Sequence, residues 1–194
     1  MAFQTGNGSD PNDAASIGQT LGPGITSGNA TVAEFGGAKK AILTFNNAQV
    51  VMQDNPGVVA FGKLKIATLP AGYVLIMGAT TDLAITKSSG GVIDTWDGDF
   101  ALGTAQLNND NALNGAEANI IPSTATPQAV AGATTAKGAS TGTEAPKIHD
   151  GHTTAIDVFL NMIVDDTDHD VTGTPCNLVL NGIVTIVYGM LGDN

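Results

Sequence analysis

Two stretches decide how this chain folds: Ala155-Ile-Asp-Val-Phe-Leu-Asn-Met-Ile-Val164 and Leu178-Val-Leu-Asn-Gly-Ile-Val-Thr-Ile-Val-Tyr-Gly-Met190. Both are rich in β-branched residues and contain neither Pro nor Lys. Side chains alternate across a strand with a period of two. In the first stretch this puts Ile156, Val158, Leu160, Met162 and Val164 on one face, with Asp157, Phe159 and Asn161 on the other. The polar run Asp165–Pro175 between the stretches ends in turn residues, so two antiparallel strands of a β-sandwich core are expected. Val179, Ile183, Val184, Ile186 and Val187 are too many apolar residues for one face. The second strand is therefore expected to be central and covered on both sides, with Gly182 a bulge.

Upstream, short strand-like runs recur with Gly, Pro and Asn turns between them. Ala41–Asn46 and Ala48–Gln53 read as two runs joined near Asn46-Asn47. Asp54-Asn-Pro-Gly57 is a turn, since Pro56 fixes φ and Gly57 tolerates a positive one. In Val58–Ala67, Leu64 and Ile66 alternate with Lys63 and Lys65, the pattern of a half-buried strand. Pro70-Ala-Gly72 leads into Tyr73–Gly78, a continuous apolar run suited to a core strand, and Leu83–Thr86 follows. Ala112–Ala118 has the composition of a short helical turn. Pro122–Pro146 is made of Ala, Thr, Gly and Ser, cannot build a core by itself, and reads as a mobile linker or a long surface loop, the loop being preferred. The expected class is all-β: a β-sandwich or jelly-roll-like domain over residues 38–194, with a long small-residue loop at 122–146. Residues 1–37 carry only Ile17, Leu21, Ile25, Val32 and Phe35 as spaced apolar anchors. They read as an extended N-terminal arm, the alternative being a frayed terminus.

Composition narrows the function. The 194 residues hold 18 Asp and Glu against 7 basic residues, a net charge of −11. All the bases are Lys, so the fork that grips phosphate and reads guanine is missing. Nucleic acid and anionic membrane are unsuitable partners for such a surface. No apolar run reaches the length of about 18 residues that a membrane helix needs, and the first residues lack the pattern of a secretory signal. Cys176 is the single cysteine and reads as a small apolar filler rather than a nucleophile.

Asp166, Asp168 and Asp170 have the alternate-oxygen spacing of a Ca²⁺ loop. Val171 and Asn177 stand where an EF-hand needs Gly and Glu, so a solvated hairpin tip is the preferred reading over a looser Ca²⁺ site. Asp94, Asp97 and Asp99 around Trp96 offer paired carboxylates for sugar cleavage, but Asp97-Gly-Asp99 also describes a hydrated turn. His149 and His152 lie close in sequence without a third ligand at zinc-like spacing. Hydrolase elbows and dinucleotide or phosphate-binding glycine patterns do not occur. No cofactor is expected.

Ile93-Asp-Thr-Trp-Asp-Gly-Asp-Phe-Ala-Leu-Gly-Thr-Ala105, Glu117-Ala-Asn-Ile-Ile-Pro-Ser123 and Asn181–Asp193 resemble segments of small virion structural proteins of tailed bacteriophages. The likeness is to head decoration (cement) proteins, and it covers roughly residues 38 to 194. It implies a β-rich fold, no enzymatic activity and a place on the outer capsid surface of a virion assembled in the host cytoplasm. The implied partners are the major capsid protein and further copies of the chain in a homo-oligomer. Ile17, Leu21, Ile25 and Phe35 are then the candidate contacts to capsid or neighbouring subunits. A head- or tail-fibre module that binds a receptor or glycan is the alternative, disfavoured by the scarcity of aromatic residues. A hydrolase with an unrecognised site is a third, weaker reading.

Overall fold

The computed structural model of the chain describes residues 28–35, 38–55, 59–89, 98–108, 112–126, 133–165 and 176–191. In chain order the strands are β1 (Gly28–Phe35), β2 (Ala38–Asn55), β3 (Val59–Thr68), β4 (Gly72–Ser89), β5 (Asp99–Gly103), β6 (Ile121–Ala125), β7 (Ala133–Ala139), β8 (Lys147–Gly151), β9 (Asp157–Asp165) and β10 (Cys176–Met190). A 3₁₀ turn, Gly115–Ala118, stands between β5 and β6. All pairings are antiparallel. The path runs β6-β5-β9-β3-β2-β10-β4-β7, with β1 added beside β2 and β8 beside β4. The all-β expectation holds, as one sheet that curls until its ends β6 and β7 meet and is nearly closed into a barrel. β9 and β10 do not pair with each other as expected. Strands β3 and β2 lie between them.

Strands as long as β2 and β4, each of 18 residues, cannot curl and keep the same alternate residues inside. In β2 the buried set is Ala41, Leu43 and Phe45, then Ala48, Val50 and Met52, a change from odd to even numbers. The switch is a β-bulge: Gly182 of β10 pairs with Phe45 and Leu180 pairs with Ala48, which leaves Asn46 and Asn47 opposite Asn181. Asn47 takes a φ of 55°, in the region Asn tolerates best after Gly. Its N–H donates to Asn181 Oδ1 at 2.8 Å. Asn46-Asn47 is therefore a bulge within one strand rather than a junction between two. β4 repeats the device. Val74 and Ile76 are buried, then Ala79, Thr81, Leu83 and Ile85, with a register shift between Val187 and Tyr188 of the facing strand. The expected runs Tyr73–Gly78 and Leu83–Thr86 are thus parts of one continuous strand. The bulge expected at Gly182 is present in the pairing, and Gly182 has a φ of 133°. A Cβ there would collide with Asp82 O, so only glycine suits the place.

β9 has the face expected of it: Val158, Leu160, Met162 and Val164 are buried in the main core, and Ile156 packs against that core. β10 is central, between β2 and β4, but it is not covered on both sides. Leu178, Leu180, Val184, Ile186 and Tyr188 point in, whereas Ile183 is 44% exposed and Val179 and Val187 are half-buried. Its outward aliphatic residues satisfy the β preference of an outer sheet face rather than a second core.

The Pro122–Pro146 segment contains β6 and β7 and so is not the loop expected of it. Its small residues seal the barrel. Ala136 and Thr134 are buried, and a Cβ on Gly138 would stand 2.8 Å from Phe100 Cζ and 3.1 Å from Ile121 Cγ2. Ser140 completes the join: its hydroxyl donates to Ile120 O at 2.6 Å and accepts from Ala79 N at 2.8 Å. Structure also begins earlier than residue 38. The end of the expected arm, Gly28–Phe35, is the strand β1, in register with Phe45–Ala38 of β2.

On the outside of β3, β5 and β9 the chain between β5 and β6 folds back over a second apolar cluster of Phe61, Ala101, Leu107, Leu113, Ala118 and Ile163. Asn161, placed by alternation on the polar face, is wholly buried beneath it. Its Oδ1 accepts from Leu107 N at 2.9 Å, and its Nδ2 donates to Ala105 O at 3.0 Å and Glu117 O at 2.9 Å.

Two predictions follow from these placements. Ile186→Ala is expected to cost about 2–5 kcal/mol, and Ile183→Ala less than about 1 kcal/mol, by urea unfolding; equal costs would contradict the one-sided burial of β10. Asn161→Leu leaves one buried N–H and two carbonyls without partners, and is expected to cost at least about 2 kcal/mol. The loss should be accompanied by faster amide exchange in residues 104–108 and 112–120, and protection there equal to the parent's would show that Asn161 does not hold the excursion.

Candidate functional site

The outer face of β2, β10, β4 and β8 presents exposed apolar residues among polar ones and the exposed Asp82, which pairs with Ile183. Ile183 and Ile148 (57% exposed) stand on it, Leu75 pairs with Ile148, and Met77 is 37% exposed. The face deepens into a groove of about 490 Å³ on the flank of β4. β8 pairs with Gly72–Ile76 and β7 with Thr80–Thr86, so among the described residues β4 lacks a ladder partner on that flank at Met77 and Gly78. Met77 and Gly78 form one wall with Thr185 and Val187 of β10, and Ser140, Thr141, Gly142 and Ala145 of the turn 140–145 form the other. This turn is held by its own bonds: Glu144 N and Ala145 N donate to Thr141 O at 3.1 and 3.0 Å, and Thr141 Oγ1 donates to the Glu144 carboxylate. No residue lining the groove carries a formal charge. Cβ atoms added at Gly78 or Gly142 would meet nothing within 4 Å, which marks open space at both places.

A smaller cleft of about 350 Å³ lies where β8 approaches the start of β9, lined by Thr104, His149, Asp150, Ile156, Asp157 and Phe159 among others. His149 is only 8% exposed, and its Nε2 has no hydrogen-bond partner among the described residues. Burial pushes its pKa below the usual 6.5, and the nearby Lys147 ammonium pushes the same way. Across the cleft Asp157 is occupied, accepting from Lys65 Nζ at 2.7 Å and Thr68 Oγ1 at 2.7 Å.

The other residues singled out from sequence are placed as follows. Ile17, Leu21 and Ile25 lie outside the described residues, as do Asp166, Asp168 and Asp170 and the carboxylates Asp94 and Asp97 beside Trp96. Phe35 closes β1 opposite Ala38. Asp99 opens β5 and accepts from Ser123 Oγ at 2.8 Å. His149 and His152 diverge. His149 is turned inward, whereas His152 is exposed and stacks with Tyr73 at a centroid distance of 6.2 Å. Among the described residues no group of three or more His, Cys, Asp and Glu could hold a metal ion. No helix among them is long and apolar enough to cross a membrane.

The groove was not foreseen. Met77 and Gly78 end an apolar run that looked like core, and alternation alone does not reveal that a bulge turns Met77 outward.

His149 gives the protein a pH dependence whose sign is fixed. Its folded pKa is depressed, so as pH falls below about 6.5 the unfolded chain takes up a proton before the folded one does. The stability this residue confers is complete above that value and is lost as pH drops toward the lower folded pKa. The melting temperature should therefore fall from roughly pH 8 to pH 5, and His149→Phe should flatten that part of the profile; an unchanged profile in the variant would assign the dependence to the carboxylates instead.

Compared with family models, curated proteins and solved structures, the chain gives no match to any of them.

Proposed function

We propose that the protein is a non-enzymatic structural component of a phage virion, decorating and stabilising the outer capsid surface through contacts to the major capsid protein and to further copies of itself. The observation that carries this reading is the outer face of β2, β10, β4 and β8. Ile183, Met77 and Ile148 are exposed there beside an uncharged groove, on a chain whose net charge is −11. Exposed aliphatic side chains on the outer face of a sheet, beside an uncharged groove, suit a surface that is covered in use. The lining of Met, Gly, Ala, Ser, Thr and Val suits close packing against another protein and supplies neither a strong nucleophile nor a charged acid–base group. The strand–turn–strand segments that resemble head decoration proteins point the same way. High negative charge over the rest of the surface would keep free copies soluble until they meet the shell.

The test is co-sedimentation with undecorated heads of the phage that encodes the chain. The full-length protein is expected to pellet with heads. Ile183→Asp combined with Met77→Asp should remain folded, since both side chains are exposed, yet lose at least about tenfold in binding. Retention equal to the parent's would show that this face is not the attachment surface. Failure of the parent to bind heads would remove the decoration reading altogether.

A further inference from the structure

We infer that the groove beside Met77 and Gly78 receives residues 14–27 of a second copy, so that neighbouring copies are tied arm to groove. The inference rests on the self-association included in the function proposed above and names its contact.

Three observations select this occupant. The first is charge. Ala14 to Ala33 is an unbroken run without a charged residue, in a chain with 18 acids and 7 bases. The groove lining is uncharged as well. Docking the one on the other desolvates no ion and brings no acid against the −11 background, unlike most segments of this chain. The second is shape. At about 490 Å³ the groove falls within the roughly 300–1,000 Å³ of binding clefts. Gly78 and Gly142 leave open space for incoming side chains, and among the described residues the flank of β4 lacks a ladder partner at Met77 and Gly78. Ile17, Leu21 and Ile25, separated by Gly, Gln, Thr and Pro, are aliphatic anchors of the size such a groove takes.

The third is reach, and it decides between the subunit's own arm and a neighbour's. The chain joins the sheet at Gly28, opposite Phe45 of β2, which faces Gly182 of β10, which faces Leu83 of β4. The groove begins three rows further along β1, at the row of Thr31, Ile42, Thr185 and Thr80. Its nearer wall, Thr185 of β10, lies two strands across and its farther wall on β4 three, at about 4.8 Å per strand, so it stands roughly 14 to 17 Å from Gly28. Ile25 is three residues from Gly28 and reaches at most about 10 Å even when fully extended. Ile25 cannot enter the groove of its own subunit. The groove of a second copy carries no such limit, so all three anchors can be used together only in trans.

The experiment uses full-length protein throughout, in the absence of capsids. Two single-cysteine variants, Ile25→Cys and Gly78→Cys, are made in a Cys176→Ser background with tags of different mass, mixed and oxidised mildly. The mixed disulfide is expected to form at least about tenfold faster than with Thr135→Cys, an exposed control on β7. Formation no faster than the control overturns the inference. Gly78→Leu with the native cysteine retained provides a second measurement by sedimentation velocity. It should keep the parent's melting temperature and shift the parent's oligomer to monomer. A parent that is monomeric at its highest soluble concentration, or an oligomer untouched by Gly78→Leu, overturns the inference equally. Normal head binding without the cross-link defeats only the arm-to-groove contact, while the cross-link without head binding defeats only the decoration role.

Discussion

Alternation is the constraint from which the rest of this structure follows. A strand exposes successive side chains to opposite faces, and a sheet that curls round on itself has only one interior. Over 18 residues the twist and curl of β2 would carry Phe45 and Val50 to different environments unless the count changed between them. The chain changes it at Asn46-Asn47, where Asn181 of the neighbouring strand supplies the acceptor for the spare N–H. β4 makes its own change near Met77, across from Val187 and Tyr188. Because β10 is bonded to both strands, its register fixes where each change falls. The bulges hold the three longest strands in step while the sheet bends.

The same irregularity that keeps the interior apolar makes the outer groove. A bulge sets two residues where the partner has one, and Met77 with Gly78 is such a pair on a flank where neither β7 nor β8 reaches. A sealed core and a recess for a partner thus share one cause. Electrostatics add little to the fold by comparison. The exposed Lys137–Asp82 pair at 3.6 Å is of the kind worth almost nothing, whereas the half-buried Lys65–Asp157 contact at 2.7 Å fixes β3 against β9 at one end of the barrel.

Where one face is buried and the other wet, the sequence was readable. Val158, Leu160, Met162 and Val164 declare their strand, and Lys63 and Lys65 do so for β3. It misled where residue type and environment part company. Ile183 is aliphatic and exposed because β-branched side chains suit an outer sheet surface. Asn161 is polar and buried because three backbone groups of a distant segment need it, and no local pattern announces a partner 44 to 56 residues away. Ala133–Ala139 looked structureless because small residues carry no hydrophobic signal of their own. Their task is to fit between Phe100 and Ile121, which are legible only as someone else's core.

The position of β10 has a consequence for how the molecule comes into being. It follows every other strand of the barrel in the chain, yet it lies in the middle of the sheet, between β2 and β4. During synthesis those two strands emerge early, and each must wait with one flank of N–H and C=O groups unpaired until the last strand arrives. Such waiting edges are templates for wrong pairings between nascent chains. Closure joins Cys176 to Met52 and Gly189 to Ala38, more than half the length of the chain apart, so it is slow for reasons of chain entropy alone. Folding of this protein is therefore an event of completion rather than accretion: the final strand acts as the keystone, and a ribosome that stalls before it leaves an arch that cannot stand.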